Sequence, residues 1–118
     1  MPAKLTPPVL DSAQGCPAQG VQIELWSLAG GTRKLLKTAR TNADGRTDQP
    51  LLAAGEMGAG QYELVFYVGD YFAGNGSAAP QARFLDRVPV QFGIADITSS
   101  YHVPLLVSPW SYSTYRGS

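Results

Sequence analysis

Residues 62–68 have the sequence Tyr62-Glu63-Leu64-Val65-Phe66-Tyr67-Val68, a run of aromatic and β-branched side chains typical of a β-strand. On either side of it, residues 21–25 and 88–94 alternate apolar and polar side chains, the period-two pattern of a half-buried strand. Pro89 cannot donate to a ladder, so it favours a sheet edge or a strand start. Further strands are predicted at 34–41, 102–107 and 111–115.

Turn signals separate these strands. Gly30-Gly31 is typical of a hairpin connection, and Asn42-Ala43-Asp44-Gly45 of a tight turn whose side chains bond to their own backbone. A loop is predicted at 55–60, and one short helix at 70–74 with Asp70 as its N-cap. Without internal repeats or a linker, this pattern predicts a single all-β domain over residues 1–118, a β-sandwich.

Composition limits the classes of function. The 118 residues are 44% hydrophobic and 15% charged, as in a globular domain, and nine basic residues balance nine acidic ones. No basic stripe suggests nucleic acid as a partner, and the near-zero net charge favours association with other copies. Because Cys16 is the single cysteine, there is no disulfide framework. No secretion signal or membrane-spanning run is present, so we expect a cytoplasmic protein without a membrane partner.

The C-terminal tail is unusually rich in reactive groups. It ends Tyr115-Arg116-Gly117-Ser118 and follows a segment that contains His102, the only histidine. Hydrolysis at a carbonyl generally needs an activated water, a cation for the developing oxyanion and a proton for the leaving group. His102 is the leading base candidate, Arg46 can hold the carbonyl or the charge, and Ser118 offers a hydroxyl and a carboxylate. No Ser-His-Asp order indicates a covalent route, so direct attack by water is favoured.

The chain resembles the 5-hydroxyisourate hydrolases, the transthyretin-related enzymes of purine catabolism. Four segments in the family's order carry the resemblance: residues 5–11 with 15–18, 41–46, 60–64 with 70–72, and 101–118. The final Tyr-Arg-Gly-Ser distinguishes these hydrolases from transthyretin, the hormone carrier of the same fold. The resemblance implies a transthyretin (prealbumin)-like sandwich of seven to eight strands that assembles as a dimer of dimers, with sites at subunit interfaces. It also implies that no metal or organic cofactor is used and that the substrate is a small molecule.

The family's functional residues transfer only in part. Arg46 and His102 match family positions, and Ser118 ends the matching tail, which makes these three the expected catalytic residues. The substrate-binding residues implied by the resemblance are Pro8, Ser100, Tyr115, Arg116 and Gly117. Two family histidines are absent: Leu-Thr-Thr-His-Val-Leu-Asp has Pro8 at its histidine position, and Ser100 replaces the first histidine of His-Tyr-His.

Pro8 leaves several interpretations open. The protein is a slower 5-hydroxyisourate hydrolase, a hydrolase refitted to an N-methylated 5-hydroxyisourate, or a non-catalytic carrier like transthyretin. A methyl group packs well against proline, whereas an imidazole there would crowd it or remain unpaired. A purely structural sandwich would leave the chemistry of the tail unexplained. Trp26 and Trp110 are interpreted as packing or interface residues.

Overall fold

The computed structural model describes residues 3–74 and 83–117, and within them it is an all-β sandwich with one short helix. The α-helix α1 comprises Val68–Gly74, and a single 3-10 turn occupies Ala29–Gly31. The strands in chain order are β1 (Leu5–Thr6), β2 (Val9–Asp11), β3 (Cys16–Pro17), β4 (Gln22–Ser27), β5 (Lys34–Arg40), β6 (Gly60–Phe66), β7 (Val88–Ile94), β8 (Tyr101–His102), β9 (Leu105–Val107) and β10 (Tyr112–Thr114).

β1 and β8 form a separate two-stranded parallel sheet, and the two four-stranded sheets differ in their strand pairing. One is wholly antiparallel in the order β5-β4-β6-β7, and the other has the order β10-β9-β2-β3 with β2 and β9 parallel. The inward side chains of both sheets form one core, in which Leu5, Ile23, Leu64, Phe66 and Leu105 are completely buried. Burial of side chains of this size, at about 1.5–3 kcal/mol each, is what holds the sheets together.

Most of the strands predicted from sequence alternation and turn residues are confirmed. β7 has the predicted bounds, and β4, β5 and β10 differ from their predictions by one or two residues. The strand predicted over 62–68 ends at Phe66 because the helix begins at Val68. Asp70 therefore lies in the first helical turn, and its prediction as the N-cap was wrong.

The second sheet contains more strands than predicted. The strand expected over 102–107 is split into β8 and β9, since Pro104 has no N–H to donate to a ladder. Three short strands near the N-terminus, β1, β2 and β3, were not predicted at all. The described residues contain ten strands; counting β1 with β2 and β8 with β9 as interrupted strands gives eight, in line with the seven to eight expected.

Candidate functional site

The interrupted strands that cross the site keep a single register. Leu5 pairs with Tyr101 in the β1–β8 ladder and Val9 with Leu105 in the β2–β9 ladder, a difference of 96 residues in both cases. Across the gap, the N–H of Leu105 donates to the carbonyl of Pro8 at 2.9 Å. Pro8 therefore sits inside a continuous parallel pairing, one strand away from His102.

The tail continues the same sheet on the other side of His102. Beyond β10, Gly117 forms a bridge with His102, and its N–H donates to the His102 carbonyl at 2.7 Å. This bridge keeps the register set by the Leu105–Thr114 pair of β9 and β10. The segment from Tyr112 to Gly117 thus runs antiparallel beside the segment from His102 to Val107.

Strand alternation collects the candidate residues on one face. Successive side chains of a strand point to opposite faces, and paired residues share a face. Leu105 and Val107 are buried in the core, whereas Leu106 is only partly buried and so belongs to the outer face. By the same register the outer face carries three rows of residues: Thr6, Pro8 and Leu10; His102, Pro104 and Leu106; Gly117, Tyr115 and Ser113.

Arg46 enters this region through a tight turn. The N–H of Val9 donates to the carbonyl of Gly45 at 2.8 Å, which brings the residue before Arg46 against β2, next to Pro8. Gly45 has φ 74°, and a Cβ there would lie 2.4 Å from the Val9 carbonyl oxygen, so only glycine allows this approach. The side-chain oxygen of Asn42 accepts from the N–H of Arg46 and closes the turn.

His102 and Arg46 have unoccupied polar groups. Within residues 3–74 and 83–117, neither the His102 imidazole nor the Arg46 guanidinium makes a side-chain hydrogen bond or an ion pair. By contrast, Arg33 and Arg83 are paired with carboxylates. His102 is partly buried and Arg46 is exposed. The His102 imidazole at the end of β8 and the Arg46 guanidinium after the tight turn, both without side-chain partners among the described residues, are available to a ligand.

The other predicted residues occupy varied surroundings. The Ser100 hydroxyl accepts from the N–H of Lys4 at 3.2 Å and so already has a structural partner. Tyr115 is 59% exposed at the edge of the outer face. Ser118, predicted as catalytic, lies outside the described residues.

Arg116 points away from His102, to a tyrosine that the sequence did not single out. Its guanidinium carbon lies 4.3 Å from the ring centroid of Tyr101, on the inward face of the sheet. The Tyr101 hydroxyl accepts from the N–H groups of Asp96 (3.2 Å) and Ala95 (3.1 Å), and these bonds lower the pKa of the phenol. The alternation in Ser100-Tyr101-His102 was the available signal, because it puts Tyr101 on the face opposite to His102.

The two tryptophans lie outside this arrangement. Trp26 stacks under Arg33, with 3.6 Å between the guanidinium carbon and the ring centroid, on the outer face of the antiparallel sheet. Trp110 is 71% exposed and contacts Phe84 with ring centroids 6.0 Å apart. Neither contact involves Arg46 or His102.

Comparison of the sequence with known proteins identifies the protein family. The HIUase/Transthyretin family model matches residues 5–117, and the chain belongs to this family. It is similar to "5-hydroxyisourate hydrolase 2" of Rhizobium meliloti, with 54% identity over 115 residues that cover 98% of this chain and 96% of the relative. The chain is thus an enzyme, a hydrolase of this family.

Two solved structures show how the domain is used elsewhere. An (S)-allantoin synthase structure superimposes with a TM-score of 0.93 at 47% identity, and covers 99% of this chain, which spans only 44% of the synthase. Sea bream transthyretin in complex with thyroxine superimposes with a TM-score of 0.87 at 27% identity, and the match covers 98% of this chain and 95% of the transthyretin chain. The same sandwich therefore occurs alone and within a longer protein. Within the described ranges, no helix is long and apolar enough to span a membrane.

Proposed function

We propose that this protein hydrolyses a cyclic amide bond in a 5-hydroxyisourate-type ring. The observation that supports the proposal is the order of neighbouring backbone segments: the turn before Arg46, the segment from Pro8 to Val9, His102 and the tail at Gly117. A planar heterocycle that covers Pro8 would have a cation on one side and an imidazole on the other. Both groups lack protein partners among the described residues, as a ligand site requires.

The proposed reaction is direct attack by water. His102 takes a proton from the water as its oxygen bonds to the ring carbonyl carbon, and Arg46 stabilises the negative charge on the carbonyl oxygen. The carbon–nitrogen bond then breaks, the proton passes to the departing nitrogen, and the products are a carboxylate and an N–H group. General base catalysis contributes about 10²–10⁴-fold and a positioned cation a comparable factor.

The end of the tail completes the proposed machinery. Gly117 lies against the His102 ring, and we propose that Ser118, the next residue, orients the imidazole or the water through its hydroxyl or carboxylate. Tyr115 and Ser100 keep their proposed roles in substrate binding, and both residues are exposed.

We propose further that the preferred substrate carries an N-methyl group where it meets Pro8. The resemblance assigns a histidine to this position, and Pro8 supplies neither a donor nor an acceptor through its side chain. Leu10 and Leu106 continue the same face with apolar surface. A substrate N–H over this wall would lose its hydrogen bond, at about 1–3 kcal/mol, whereas a methyl would gain contact area.

The proposed assembly is a homotetramer, a dimer of dimers. β7 and β10 are edge strands of the two sheets, so both have unpaired backbone groups that a second copy could satisfy. The outer face that carries Leu10, 39% exposed, and Leu106 is apolar enough to pack against another copy. Pairing across that face would enclose the proposed site. We place this assembly in the cytoplasm, where the single Cys16 needs no partner.

The decisive experiment compares ring-opening rates. Freshly generated 5-hydroxyisourate and its N-methylated analogues are mixed with the protein, and the loss of ultraviolet absorbance is followed. His102→Ala and Arg46→Ala should each lower kcat/KM by about 10²-fold or more. Arg87→Ala, at an exposed arginine just before β7, should leave it unchanged. Stoichiometric binding without turnover would favour the carrier function instead, and faster opening of the unmethylated ring would exclude the methylated preference.

A further inference from the structure

The last residues of the tail have few backbone bonds to hold them. Between the Thr114–Leu105 pair and the Gly117–His102 bridge, the residues that face Tyr115 and Arg116 are Pro104 and Val103. Pro104 has no N–H, and its carbonyl accepts from the Thr114 hydroxyl at 2.7 Å. The ladder is therefore interrupted just before the bridge that reaches His102.

A side-chain contact spans this interruption. The guanidinium carbon of Arg116 lies 4.3 Å from the ring centroid of Tyr101. Arg116 immediately precedes Gly117, and Tyr101 immediately precedes His102. The ring is a fixed platform, since Tyr101 is 6% exposed and two backbone N–H groups hold its hydroxyl. A guanidinium over an aromatic face is attracted by the ring quadrupole.

The tail in turn defines the surroundings of the imidazole. A Cβ on residue 117 would lie 2.9 Å from Cγ of His102 and 3.1 Å from Cδ2, which means that the Gly117 backbone is packed directly on the ring. A small displacement of the tail therefore moves the wall against which the imidazole rests. Positioning errors of about 1 Å are costly to catalysis.

We propose that the Arg116–Tyr101 contact, called the tail anchor from here on, holds Gly117 against His102 and thereby orients the imidazole. Arg116 is then a positioning residue that acts through the backbone, and Tyr101 is its platform. The effect of the anchor on the reaction rate rests on the proposed ring opening, whereas its effect on the position of Gly117 and the His102 ring does not. The groove of about 260 Å³ between the tail and β7, lined in part by Tyr101, Arg116 and Phe92, leaves room for the anchor to open.

The anchor can be tested without any substrate. Gly117 donates its N–H to His102, so amide hydrogen exchange at Gly117 reports how often the tail leaves the strand. Arg116→Gln should raise this exchange rate about two- to fivefold, the factor expected for an exposed cation–π contact, and Arg116→Lys should restore most of the protection. Because the chain has one histidine, the NMR signals of the His102 ring should shift in the Gln variant and return in the Lys variant.

A matched control exists beside the antiparallel sheet, just before β7. The Arg87 guanidinium covers the ring of Tyr67 at 4.8 Å, the same type of contact at a distance from the tail. Arg87→Gln should change neither the exchange of Gly117 nor the His102 signals. If Arg116→Gln also leaves both unchanged, the anchor is refuted, even if the protein turns over no ring at all.

Kinetics separate the anchor from direct substrate binding. If the tail anchor positions His102, Arg116→Gln should lower kcat about two- to fivefold with little change in KM. The double variant Arg116→Gln/Tyr101→Leu should then have the same kcat as Tyr101→Leu alone. A substrate ligand predicts a raised KM with unchanged exchange at Gly117 and independent effects of the two substitutions. The second pattern would overturn the proposal. Tyr101→Phe, which keeps the ring, should retain the anchor if Tyr101→Leu impairs folding.

Discussion

Gly117 lies on the ring of His102, so close that a methyl group at residue 117 would come within 2.9 Å of the imidazole Cγ. The same glycine donates its N–H to the His102 carbonyl at 2.7 Å. Backbone and ring contacts therefore tie the end of the chain to the proposed base.

The first prediction is that Gly117→Ala lowers kcat about tenfold or more while the free energy of unfolding changes by less than about 0.5 kcal/mol. The added Cβ pushes the imidazole or the tail aside, but residue 117 does not have the positive φ that would penalise alanine. Steady-state kinetics and urea unfolding measure the two quantities. Gly74→Ala, where a Cβ meets nothing within 4 Å, is the control. Equal activity in both variants would contradict the contact's importance.

The second prediction concerns substrate choice at Pro8. Pro8→His should raise kcat/KM for 5-hydroxyisourate by roughly tenfold, because an imidazole returns a polar partner for the ring N–H, and should lower it for the N-methylated analogue. Pro8→Ala, which keeps an apolar wall, should retain the preference for the methylated ring. Rates of both substrates with the three proteins give the ratio. A ratio unaffected by Pro8→His would mean that Pro8 does not contact the methylated position.

The third prediction concerns a buried carboxylate beneath the N-terminal strands. Asp11 is completely buried, and its oxygens accept from the N–H groups of Ala13 and Gln14 and from the hydroxyl of Tyr71 at 2.7 Å. Tyr71→Phe removes one donor from this charge and should lower the free energy of unfolding by about 1–3 kcal/mol. The exposed Tyr112→Phe should change it by less than about 0.5 kcal/mol. Chemical denaturation compares the two, and equal midpoints would disprove the role of the bond.

The fourth prediction is a pH dependence of stability centred on Glu63. The side-chain hydrogen bonds from Gln91 and then from Arg33, each 3.0 Å, hold the pKa of Glu63 below its ordinary value of 4.5. A lowered carboxyl pKa stabilises the folded state above the unfolded-state pKa, and this contribution is lost as the pH falls through the folded-state pKa. The free energy of unfolding should therefore decrease below about pH 4.5.

Substitution isolates this carboxylate from the others. Glu63→Gln should reduce the loss of stability at acidic pH. At neutral pH it should lower the free energy of unfolding by about 0.5–1 kcal/mol, a modest value because the Arg33 side chain is 46% exposed. Asp44→Asn, an exposed turn residue, should leave the curve unchanged. Urea midpoints between pH 3 and 7 provide the measurement; an unaltered acid limb in Glu63→Gln would assign the pH dependence to other groups.

Local patterns were sufficient wherever a strand pairs with its neighbour in sequence. β4 and β5 form a hairpin around the Gly30-Gly31 turn, and β7 pairs with β6 in full register, so period-two alternation and turn residues describe them correctly. β1 and β2 pair in parallel with segments 96 residues away. Their short, proline-interrupted sequences carry no strand signal of their own, and the pairing exists only because the core buries Leu5 and Val9.

The candidate residues divide in the same way. The sequence alone determined the sandwich class, the chemical types of the groups at residues 46 and 102, and the presence of a proline where the resemblance expects a histidine. Only the tertiary structure decided that the turn before Arg46 bonds to Val9, next to Pro8, that Gly117 packs on the imidazole, and that Arg116 faces Tyr101 on the opposite side of the sheet. The physical reason is that register between distant strands is set by burial of the whole inner face, which no local stretch of sequence contains.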